Sequence, residues 1–115
     1  MLTLYVIKNC DTCRKARKAL DGKGIPYQVH DLRDDGLSAA LLEHLLHKVP
    51  VMELLNRRST TWRNLDDADK ADIDANKARK LMMAHPTLLK RPLLDTGDEI
   101  LVGYRDGDYD NLSPI

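Results

Sequence analysis

Apolar positions along this chain change rhythm several times, and each change marks an element. Leu2-Thr3-Leu4-Tyr5-Val6-Ile7 is short, apolar and β-prone, the pattern of a buried strand. From Thr12 to about Leu20 the rhythm is helical. Cys13, Ala16 and Leu20 fall on one face, while Arg14, Lys15, Arg17 and Lys18 point elsewhere. Asn9, Cys10 and Asp11 offer helix-start chemistry, and Gly22 and Gly24 a stop. Pro26-Tyr27-Gln28-Val29-His30-Asp31 predicts a second strand. The three elements form a β-α-β unit, which ordinarily closes with parallel strands.

After the Asp34-Asp35-Gly36 turn, Leu37, Leu41, Leu45 and Val49 recur every four residues, with Leu42 and Leu46 widening the stripe. This predicts a helix from about Ser38 to Lys48. Pro50 suits the first turn of a short helix through Met52, Leu54 and Leu55. Asn56 to Asn64 is polar and reads as irregular, and Asp66 to Asp74 as partly helical. Ala78, Leu81, Met82 and His85 make another helical face, closed by Pro86. Leu93 and Leu94 start a third strand, Gly97-Asp98 is a hairpin-closing turn, and Glu99 to Tyr104 is a fourth strand. The tail from Asp106 is expected to hold one or two helical turns.

The order is β-α-β, a helical block, then β-β. An α/β fold with a four-stranded mixed sheet accounts for it, on the plan of a thioredoxin-like fold with a helical insertion between strands 2 and 3. The expectation is a single domain over 1–115 with a helical subdomain at about 37–88.

Composition narrows the function. Lys plus Arg and Asp plus Glu both number 18, so the formal net charge is zero. That disfavours a protein living on nucleic-acid phosphates or anionic lipid. No apolar run approaches the about eighteen residues of a membrane span, and the start lacks a secretory signal. The expected location is the cytoplasm, where structural disulfides are rare. Asp106, Asp108 and Asp110 alternate as in a calcium loop, but the sixth place holds Asn111, not glycine.

Both cysteines of the chain sit in Lys8 to Ala16, K-N-C-D-T-C-R-K-A. A C-x-x-C pair can bind metal, form a structural disulfide or do redox chemistry. Zinc needs two more ligands. There is no second C-x-x-C, and His44 and His47 read as surface residues, so no metal is expected. A buried Cys13 beside an ordinary exposed Cys10 is the plainest alternative. The redox reading rests on position. Free N–H groups at a helix start carry partial positive charge and stabilise a thiolate, the nucleophilic form. Lys8 and Arg14 add to that field. Cys10 lies at the mouth of the helix and Cys13 one turn in, on the apolar face. This asymmetry makes Cys10 the attacking sulfur and Cys13 the resolving one.

I-K-N-C-D-T-C-R-K-A, L-L-N-R-R-S-T-T-W-R-N-L and L-L-K-R-P-L-L resemble the arsenate reductase (ArsC/Spx) family, in order and spacing along nearly the whole chain. The similarity is greatest to small bacterial members proposed to be glutathione-dependent thiol reductases. The resemblance implies a thioredoxin-like fold with a helical insertion and a nucleophilic Cys10. It implies an oxyanion-binding Arg91 and a cis Pro92. It also implies glutathione as co-substrate, with no bound cofactor, and glutaredoxin as an optional protein partner. Arg57, Arg58, Arg63 and Arg91 are then candidates for charge-assisted bonds to an anionic partner, and Arg14, beside the cysteines in sequence, is a further anion-binding candidate.

Departures from the family pattern matter as well. Arsenate reductases carry His-Asn-Pro shortly before the cysteine, where this chain has Val6-Ile7-Lys8. Their second anion-binding arginine falls on Asn56, with Arg57 and Arg58 just beyond. The third falls near Gly103, two residues before Arg105. Arsenate reduction proper is therefore one alternative. Spx-type regulators carry C-x-x-C here as a disulfide switch and bind RNA polymerase, so a redox sensor without turnover is another.

Overall fold

A computed structural model of the protein describes residues 2–8 and 10–112. The chain divides into two compact units, Met1–Leu32 with Arg91–Ile115, and Arg33–Lys90.

The first unit is built on a four-stranded mixed sheet. Strand β1 (Leu2–Val6) leads through helix α1 (Asp11–Gly22) to β2 (Tyr27–Asp31). The chain returns as β3 (Leu93–Asp95) and β4 (Ile100–Val102), and the spatial order is β2-β1-β3-β4. Strand β1 pairs parallel with β2 and antiparallel with β3, so Leu4 lies opposite both Val29 and Leu94. A central strand meets neighbours on both sides, and its residues are correspondingly apolar. Leu4 and Val6 share a face and pack with Cys13, Ala16 and Leu20 of α1, with Ile25, Leu94 and Tyr109 completing the cluster. The periodicity that predicted α1 is therefore the periodicity of its contact with the sheet.

Helix α1 runs further than the apolar stripe. Gly22 lies inside it, and Gly24, at φ +68°, makes the stop. There the Ile25 N–H donates to the Leu20 carbonyl and the Gly24 N–H to that of Asp21, a Schellman ending in which Leu20 and Ile25 are both buried. The hairpin forms as expected, with the Thr96 N–H donating to the Glu99 carbonyl across Gly97-Asp98. Strand β4 is shorter than the apolar run. Gly103 donates its N–H to the Pro92 carbonyl and then turns away at φ +76°. The tail from 106 to 111 forms hydrogen-bonded turns in place of the expected helical ones.

The second unit is helical: α2 (Ala39–Leu46), α3 (Val51–Leu54), α4 (Thr60–Arg63), α5 (Asp67–Lys70) and α6 (Ala75–Ala84), then a 3₁₀ turn, Pro86–Leu88. Ser38 caps α2 by accepting from the Leu41 N–H, and Asp74 caps α6 by accepting from that of Lys77. The polar stretch read as irregular contains α4, whose single turn starts at the Ser59 cap and lacks an apolar stripe to betray it. Leu42, Leu45, Leu54, Leu55, Ala78, Met82, Leu88 and Leu89 are buried. A bridge between Leu55 and Leu89, with the Lys90 N–H donating to the Leu54 carbonyl, ties the middle of this unit to its end. Among the described residues no helix is long and apolar enough to cross a membrane.

Candidate active site

Cys10 is the N-cap residue of α1, with extended backbone at φ −103° and ψ 116°. Its carbonyl accepts the first helical bond, from the Arg14 N–H at 3.1 Å. Its sulfur faces the first turn of the helix, where the Cys13 backbone N–H donates to it. Asn9, the other residue read as part of the helix start, lies outside the described residues. The chain enters the turn on fixed rails. The Leu32 N–H donates to the Val6 carbonyl at 2.9 Å, and the Lys8 N–H donates to Asp31 Oδ2 at 3.1 Å. Asp31, at 7% exposure a buried carboxylate, thus holds the backbone just before the cysteine.

The two thiols are free and lie in different environments. Cys10 is half-buried and Cys13 only 3% exposed. Burial works against ionising Cys10. Hydrogen bonds from the Cys13 thiol and backbone N–H, and the nearby Arg91 guanidinium, more than offset it, so its thiol is held below the ordinary value of 9.0. Cys13 goes the other way. Burial comes first, then its bond to Cys10, and together they push its thiol up to about 12. One sulfur is primed as an anion and the other, one turn along, keeps its proton and lends it as a hydrogen bond.

Arg91 precedes a cis peptide bond to the buried Pro92, at the entry to β3. It belongs to the unit that carries the cysteines. Arg14 is exposed, ion-paired with Asp11, and lines a cleft of about 310 Å³ beside both cysteines. Val6, Ile7 and Val29 give that cleft apolar walls, and Lys8, Arg14, Arg17 and Asp31 give it charge. Arg57 and Arg58 belong to the helical unit, where they line a separate cleft with Met52, Leu55, Asn56 and Lys90. Arg57 also lies over the Trp62 ring at 5.9 Å, and Arg63 donates to the Arg58 carbonyl at 3.2 Å. Asp31 and Val29 were not singled out by the sequence pattern beyond being strand residues. The available signal was a carboxylate closing an otherwise half-apolar edge strand.

A thioredoxin-like four-stranded sheet carries the lowered Cys10 thiol where its first strand meets its first helix. The chain belongs to the ArsC family, whose family model matches residues 5–112, a thiol-based reductase family. An uncharacterised protein of Haemophilus influenzae is 40% identical over 109 residues, covering 95% of this chain and 96% of its own. The global transcriptional regulator Spx of Listeria innocua is 28% identical over 116 residues, covering 99% of this chain and 88% of the regulator. The solved structure of the YffB (PA3664) protein superposes with a TM-score of 0.89 at 41% identity, over 96% of both chains.

Proposed function

We propose that the protein is a cytoplasmic, glutathione-dependent thiol–disulfide reductase. The carrying observation is the opposed ionisation of two sulfurs in hydrogen-bond contact, Cys10 lowered and Cys13 raised. The Cys10 thiolate attacks one sulfur of a substrate disulfide. A Cys10–substrate bond forms, the substrate S–S bond breaks, and the other substrate half leaves as a thiolate that takes up a proton from water. Cys13 then loses its proton and attacks Cys10. The internal disulfide forms and the bound thiol is expelled. Two electrons have passed from the protein to the substrate, and two molecules of glutathione restore the dithiol, becoming glutathione disulfide. Arg91 holds the attacking sulfur ionised, and with Arg14 it offers charge to an anionic thiol such as glutathione. Arg58 and Arg57, exposed around their own cleft, are proposed to recognise carboxylates of the same class of ligand. No bound cofactor enters the scheme, and glutaredoxin is proposed as an alternative electron donor by protein contact.

Turnover of a glutathione mixed disulfide by wild type, Cys10→Ser and Cys13→Ser tests the scheme. Loss of turnover in the first variant and a partial loss in the second is expected. Turnover surviving in Cys10→Ser would refute it. Arsenate belongs in the same assay, with no turnover expected, because two of the three arginine positions of arsenate reductases are not kept.

The second reading is a redox sensor of Spx type. It is favoured by the cysteine pair together with the full-length similarity to Spx. Absence of turnover, combined with retention of RNA polymerase that changes between the dithiol and disulfide forms, would select it.

A further inference from the structure

Tyr109 is 1% exposed, and among the described residues its hydroxyl is buried with no hydrogen-bond partner. Such a group destabilises the fold where it stands, since a phenylalanine ring would fill the same space without stranding an oxygen. Its ring is fixed by contact with Tyr104, centroids 4.7 Å apart, in a tail tied down by Lys23 Nζ donating to the Asp110 carbonyl at 3.0 Å. Tyr109 is packed in the same buried cluster as Cys13. The other buried members are Leu4, Val6, Ala16, Leu20, Ile25 and Leu94, none with a polar side-chain atom.

The resolving step makes a demand that these aliphatic neighbours cannot meet. In the dithiol, the Cys13 proton is shared with the Cys10 thiolate. Once Cys10 is bonded to substrate, that acceptor is gone, and Cys13 must carry negative charge in this cluster with only the Ile7 backbone and the Arg91 charge in its favour. We propose that Tyr109 is a further catalytic residue, its hydroxyl donating to the Cys13 sulfur as that sulfur becomes a thiolate. This rests on the reductase reading above. The proton of Cys13 goes to water, the thiolate accepts from the Tyr109 O–H, and its electron pair then forms the Cys10–Cys13 bond as the substrate thiolate leaves. Tyr109 keeps its own proton throughout. Its hydroxyl is held well above the usual tyrosine range by burial first, then by the charges of Tyr104, Asp108 and Cys13.

The test is a single turnover of reduced protein with glutathione disulfide, quenched in acid. Mass spectrometry then separates the glutathionylated protein from the internal disulfide. In Tyr109→Phe, release of glutathione from Cys10 is expected to slow about tenfold, as for loss of a hydrogen bond to a charge. Alkylation of Cys10 in the dithiol should keep its wild-type rate, and the melting temperature should hold or rise. Tyr104→Phe should release at the wild-type rate. Release by Tyr109→Phe as fast as wild type overturns the proposal. So does an equal slowing of alkylation and release, or an equal slowing in Tyr104→Phe, either of which makes the ring a packing element. If wild type forms no mixed disulfide on Cys10, the reductase reading itself falls.

Discussion

Cys10 and Cys13 lie within one helical turn of each other, yet the structure gives their protons opposite fates. Burial raises both. Only Cys10 collects enough donors to reverse the effect, from Cys13 and Arg91. The alkylation rate of Cys10 should therefore reach half its plateau below pH 9.0, the ordinary thiol value, while Cys13 stays inert until far higher pH. Arg91→Gln removes a charge and a donor at once, so the half-rate pH should move up and the rate at neutral pH should fall several-fold. Rates measured with iodoacetamide from pH 5 to 10 check both, and an unshifted profile in Arg91→Gln would show that Arg91 has no hold on the sulfur. Cys10 and Cys13 were legible from position in the pattern, because a strand–helix junction and an apolar helix face follow from spacing alone. Arg91 came from motif similarity. Asp31 and Tyr109 were not legible. Their roles depend on contacts with Lys8 and with the Cys13 cluster, far away in the chain.

At the scale of elements, the caps decide where helices begin and end. Ser38 and Asp74 each satisfy an N–H that nothing else in the helix can reach. Ser38→Ala or Asp74→Ala should each lower stability by about 1 kcal/mol. Gly24→Ala should cost a similar amount, about 1–2 kcal/mol, because φ +68° suits glycine alone even though the space beside it is open. Urea unfolding of the three variants measures this, and a neutral Gly24→Ala would mean that the Schellman turn relaxes freely. The same physics explains which elements the sequence revealed. Helices α1, α2 and α6 carry apolar stripes and were predicted within a few residues. Helix α4 buries no residue, so no periodicity announces it, and only the Ser59 cap marks its start. Strand β4 reads too long because Tyr104 is apolar enough to extend the pattern, while the backbone at Gly103 has already turned.

For the whole molecule, the two thiols couple folding to redox state through pH. Compare the dithiol with the Cys10–Cys13 disulfide, which has neither titrating group. In the dithiol, Cys10 has a folded value below 9.0, so its contribution to stability grows as pH rises through that value and is complete above 9.0. Cys13 has a folded value of about 12 against 9.0 for the ordinary thiol, so its contribution is whole below pH 9.0 and drains away as pH climbs toward 12. That loss runs at about 1.4 kcal/mol per pH unit. The stability difference between dithiol and disulfide must therefore pass through a maximum near pH 9. Carboxylates and the tyrosines away from Cys13 titrate in both forms and cancel in the difference, while Tyr109, raised in part by Cys13, titrates well above pH 9. Because stabilising the folded thiolate stabilises the reduced protein, the disulfide should also become more oxidising relative to glutathione, an ordinary thiol, as pH rises toward that maximum. Denaturant unfolding of both forms from pH 6 to 11 gives the curve directly. A difference that stays flat with pH would mean that the fold does not treat the two sulfurs unequally, and the division of labour between attacking and resolving cysteine would have no physical basis.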